Sequence, residues 1–141
     1  MDVIMSDVIW GFLDLPAWFF QTILSPFAAS YLTAIPASGV VALAIGAILA
    51  AVHRETAVLW GFLSVGLAHL LPPIIRQMRD VPDQAGGVLL AFLVIQLVLV
   101  AAMIFKSRKS YLSAISIGWF CLSYALFAAF MAGTSLPGGA I

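Results

Sequence analysis

The residue best able to do chemistry in this chain is His69, set in Gly66-Leu67-Ala68-His69-Leu70-Leu71-Pro72-Pro73. Imidazole titrates near neutral pH, so in an apolar setting it is a candidate relay, pH sensor or metal ligand. Gln96, Cys121, Ser123 and Tyr124 likewise fall in stretches that hold no Asp, Glu, Lys or Arg. The partners that would make these groups catalytic are missing. There is no buried carboxylate pair for acid–base work, no cluster at metal-ligand spacing, and no Ser or Cys beside a plausible base. The expectation is therefore no catalytic residue, no cofactor and no metal.

For His69 the favoured role is a hydrogen bond to Ser123, Tyr124 or a carbonyl freed by Pro72 and Pro73, stabilising the assembly. Gating, proton relay or pH sensing comes second. Ligation of haem, chlorophyll or a metal comes third, because His53 lies at the opposite membrane face from His69 and cannot complete a pair within one chain. Gln96 reads as interhelical glue, with a pore-lining position as the alternative. Cys121 has no second cysteine in the chain and reads as a small hydrophobe.

These residues are carried by four apolar runs: Ile35–Val52, Ala57–Ile75, Ala85–Phe105 and Tyr111–Ala132. At about 1.5 Å of rise per residue each reaches the ~30 Å of a hydrocarbon core. All six Lys and Arg residues fall in the three gaps between them. With 64% hydrophobic and 9% charged residues, a soluble fold of 141 residues could not cover its apolar surface. The predicted class is an all-α integral membrane protein, an up-down bundle of four transmembrane helices over 35–134 in which consecutive helices pack as antiparallel neighbours. Net charge is zero, which gives nucleic acid nothing to bind.

An aromatic-rich segment over 1–34 precedes the bundle, interrupted by Asp14, Pro16, Gln21 and Pro26. Its aromatics favour an interfacial or partly embedded helix over a fifth span, with Asp14 as an N-cap. It is not expected to be a signal peptide, since no Lys or Arg precedes Arg54. Residues 135–141 read as a tail.

Depth and spacing sharpen the picture. His69 lies roughly 10 Å from the boundary at Arg76, and Ser123 and Tyr124 lie at a similar depth from the end of the fourth run. Pro72 and Pro73 predict a kink or break. Small residues at every fourth position form a packing stripe in the first helix (Ser38, Ala42, Gly46, Ala50). The fourth helix carries small residues at Ala114 and Gly118, then at Ala125, Ala129 and Gly133. Small faces let backbones approach closely, which drives association in lipid, within the chain or between subunits.

Gaps one and three carry four Lys/Arg residues and gap two carries Arg76 and Arg79. The positive-inside rule then places gaps one and three in the cytoplasm of a bacterial cell and both termini outside its inner membrane. Arg76, Arg79, Asp80 and Asp83 are expected to form at most local ion pairs. Lys106, Arg108 and Lys109 form a basic edge for anionic lipid headgroups.

The functional expectation is a non-enzymatic membrane protein acting through helix–helix and lipid contacts, partnered by the bilayer and by itself or other membrane subunits. A small oligomeric, holin-like pore is the alternative.

Overall fold

The computed structural model describes residues 16–17, 19–21, 31–78 and 80–134, and among these every regular element is helical. The elements are α1 (Tyr31–His53), α2 (Trp60–Gln77), α3 (Pro82–Lys106) and α4 (Tyr111–Thr134), with a 3-10 turn at Ala57–Leu59 leading into α2. All four helices are long and apolar enough to cross a membrane, over Ile35–His53, Ala57–Gln77, Asp83–Lys106 and Tyr111–Gly133. Long apolar runs become helices because a helix satisfies its backbone within one segment.

Two departures from the sequence expectation have a clear physical reason. α1 begins at Tyr31, before the expected start at 35. Tyr31 to Ala34 contain no helix breaker, and Pro36 withholds a donor only from the carbonyl of Leu32, one turn from the start. α2 is not broken at Pro72 and Pro73; it runs through both to Gln77. Proline's fixed φ is itself helical, and Leu71, Pro73 and Ile75 are all buried, so packing holds the last turns in place.

The chain reversals have local causes. At the end of α1, Arg54 adopts the left-handed conformation (φ 54°) and the Glu55 N–H reaches back to the Ala50 carbonyl at 2.9 Å. That is a Schellman closure with Arg at the position usually held by Gly. Pro82 opens α3, where its missing N–H costs nothing, and Asp83 lies in the positively polarised first turn. Ser110 caps α4, its Oγ accepting the Ser113 N–H at 3.3 Å.

α4 organises the packing of the four helices. α2, α3 and α4 pack against one another, whereas α1 packs on α4 and not on its sequence neighbour α2. The expected pairing of consecutive helices therefore fails for the first pair. The reason lies in the α4 surface, where Ala114, Gly118, Cys121, Ala125, Ala128, Ala129 and Ala132 are all buried and side chains are small enough to admit helices on several faces.

Most of segment 1–34, Asp14 included, lies outside the described residues, as do Arg79 and the tail 135–141. Within that segment Pro16, Ala17, Phe19, Phe20 and Gln21 are helical. Phe19 is fully buried, edge-on to Phe120, Tyr124 and Phe127 of α4 with centroids 6.1, 5.2 and 5.5 Å away.

Candidate functional site

The buried polar side chains gather at three levels, two within the helices and one at the gap-one end. At the deepest level from gap one, His69 of α2 and Tyr124 of α4 meet, with Nε2 and the hydroxyl 2.9 Å apart. Both are buried, and Phe19 and Phe120 close over the Tyr124 ring. Ser123 does not join them. Its Oγ donates to its own helix at the Phe120 carbonyl, 2.8 Å away, and its side chain packs on Gly39 of α1. The similar depth of Ser123 and Tyr124 thus conceals opposite directions: adjacent residues on a helix point about 100° apart.

The middle level joins α2 to α3. Gln96 is fully buried and uses both ends of its amide on one residue: Oε1 accepts from Ser64 Oγ, and Nε2 donates to the Ser64 carbonyl at 3.1 Å. The Cys121 thiol faces the Gly61 carbonyl at 3.8 Å. Ser64 was not singled out from sequence, although a signal existed. It lies about as many helical rises from gap two as Gln96 does.

At the third level is the feature that sequence reasoning missed. Glu55, in gap one, is 8% exposed, and its Oε1 accepts the backbone N–H groups of Lys109 and Ser110 at 3.1 and 3.2 Å. Burial raises its pKa, but hydrogen bonds from the backbone of Lys109, Ser110, Arg108 and Ala57 outweigh this and hold the carboxyl below its ordinary value. A carboxylate at the N-terminus of α4 also satisfies the helix dipole. Glu55 thereby fastens gap one to gap three. Lys106 adds a tie from the end of α3 to the start of α2, its ammonium 5.2 Å from the centre of the Trp60 ring. Ser107 is buried, its Oγ donating to the Ile104 carbonyl.

The small-residue stripes meet inside the chain, with a shifted register. On α1, Gly39, Gly46 and Ala50 are buried, Ala42 is half-buried and Ser38 is exposed. Ser38 sits at the edge of the contact, where its Oγ accepts the Trp119 indole N–H at 2.9 Å. Gly39, absent from the expected stripe, is a point of closest approach, since a Cβ there would collide with Ser123. A Cβ on Gly46 would lie 3.0 Å from the Ile117 nitrogen and 3.1 Å from the Ser113 oxygen, so these two helices touch backbone to backbone. Gly118 instead faces Val100 of α3, and Ala125, Ala129 and Gly133 are buried.

Among the described residues, no group of His, Cys, Asp and Glu is arranged to hold a metal, and no buried side-chain nitrogen or oxygen lacks a hydrogen-bond partner. Chemically this arrangement fixes helix register and orientation. Compared with known proteins, the chain matches no family model, no curated sequence and no solved structure.

Proposed function

We propose that the chain is a non-enzymatic integral membrane protein that works through helix–helix and lipid contacts, as a self-associating bundle or an accessory subunit of a larger membrane complex. The observation that carries this is the contrast between the two faces of α1. One face is in backbone contact with α4, while Val41, Ile45, Ile48 and Val52 stand exposed along the other. Only 22% of that span is buried, against 44% for the α2 and α4 spans. Meanwhile the buried polar side chains among the described residues are engaged with one another or with backbone groups, which supports a structural rather than a substrate-handling core. Phe19, seated at the level of His69 and Tyr124, supports a partly embedded N-terminal segment.

The proposed location is a bacterial inner membrane, with gaps one and three cytoplasmic and the termini outside. Cysteine crosslinking from Ile48 in native membranes, followed by native mass measurement in mild detergent, tests the assembly. Crosslinked copies or a retained subunit are expected. A monomer with no crosslink would overturn it, and ion flux through reconstituted liposomes would replace it with the pore.

A further inference from the structure

Four cations from two separate gaps converge at one end of the molecule. Arg54, Lys106, Arg108 and Lys109 are all exposed. They are brought together because the Glu55 carboxylate binds the backbone N–H groups of Lys109 and Ser110, and because Lys106 lies over Trp60. Among the described residues the one acid of this end, Glu55, is held by backbone donors rather than by a cationic side chain. Among the described residues, four cations against one carboxylate leave three net positive charges here, whereas the sequence of gap two, with Arg76, Arg79, Asp80 and Asp83, sums to zero. Beside the cations stand large apolar and amphipathic surfaces: Phe105 is 90% exposed, Tyr111 62% and Trp60 44%.

We propose that gaps one and three form one composite site for the headgroup of an anionic phospholipid, with Arg54 a ligand equal to Arg108 and Lys109. The proposal rests on the membrane reading above and extends the three-residue basic edge visible in sequence. The charge selects an anionic phosphate. Exposed Phe105, Tyr111 and Trp60 beside that charge select a lipid over a soluble anion, because an acyl chain covers apolar surface that free phosphate leaves wet. Glu55 is a positioning residue: it holds the two gaps in register and touches no lipid itself.

The test uses the full chain in mild detergent, with retained lipid counted by native mass spectrometry. Phosphatidylglycerol and phosphatidylcholine of identical acyl chains are the probes, and inorganic phosphate is the competitor. Selective retention of phosphatidylglycerol is expected. Arg54→Gln and Arg108→Gln should each weaken it about fivefold, the factor equivalent to ~1 kcal/mol per basic residue at an anionic surface. Arg54→Lys should restore it. Glu55→Ala separates the composite site from simple charge attraction: removing an acid should tighten binding by charge alone, whereas unfastening the gaps should weaken it. Equal retention of phosphatidylcholine, displacement by inorganic phosphate, no effect of Arg54→Gln, an equal loss in Arg54→Lys, or tighter binding by Glu55→Ala would each overturn the proposal. Release of the wild-type chain from membranes by alkaline carbonate would overturn the membrane reading itself, and this site with it.

Discussion

Gly46→Leu tests the α1–α4 contact directly. The Cβ alone would sit 2.6 Å from Ile117 Cγ1, 3.0 Å from the Ile117 nitrogen and 3.1 Å from the Ser113 oxygen. The Ile117 side chain is able to rotate away, but the two backbone atoms are not. Carbon contacts settle at about 3.5–4.0 Å, so α1 must move out by roughly half an ångström before the rest of the leucine is accommodated. A gap of about 0.5–1 Å forfeits a quarter to a half of each contact's attraction, and overpacking of this kind costs about 1–3 kcal/mol. Helix propensity opposes the loss, since replacing Gly within a helix gains up to ~1 kcal/mol. The steric term therefore wins, but not by a wide margin. Gly66→Ala supplies the matched control, because a Cβ there meets nothing within 4 Å and only the propensity gain remains. Thermal unfolding in detergent, followed by helical circular dichroism, should show Gly46→Leu below wild type and Gly66→Ala at or above it. A Gly46→Leu chain as stable as wild type would mean that α1 does not pack on α4 through this face.

Other consequences are measurable. A double-mutant cycle of Gln96→Leu with Ser64→Ala should give a coupling of about 0.6–1.7 kcal/mol in detergent unfolding, and additive losses would dissolve the pair. Tyr124→Phe keeps the aromatic packing and removes the hydroxyl, so it should cost about 1 kcal/mol, and little more once His69→Gln is present. Glu55 has a carboxyl pKa lowered by folding from 4.5, so its contribution is complete above that value and is lost as pH falls below it. Wild-type thermal stability should accordingly drop more steeply on acidification than that of Glu55→Gln, and parallel profiles would show that the clasp is not formed. For orientation, Arg108→Cys should resist an impermeant thiol reagent in intact cells while Gly138→Cys reacts; the reverse result would invert the topology. Arg108 is the better probe than neighbouring Ser107, which is buried.

The four helices were legible in the sequence because the lower bound on an apolar run and the ban on charge within it are local properties, readable without knowing any neighbour. Depth was legible too, since helical rise converts residue number into distance, and His69 meets Tyr124. Direction around the helix axis was less so, as Ser123 shows by turning onto Gly39 while Tyr124 turns inward. Three features belonged to tertiary structure alone. α1 pairs with α4 because backbone-close packing at Gly39 and Gly46 outweighs chain proximity to α2, a comparison between surfaces that no single segment contains. α2 continues through Pro72 and Pro73 because burial of Leu71, Pro73 and Ile75 offsets the lost hydrogen bonds, and sequence registers only the loss. Glu55 looked like an ordinary charge in a short gap. It became the clasp of two loops only when the fold set it 3.1 Å from a backbone amide 54 residues away, a distance that sequence spacing does not encode.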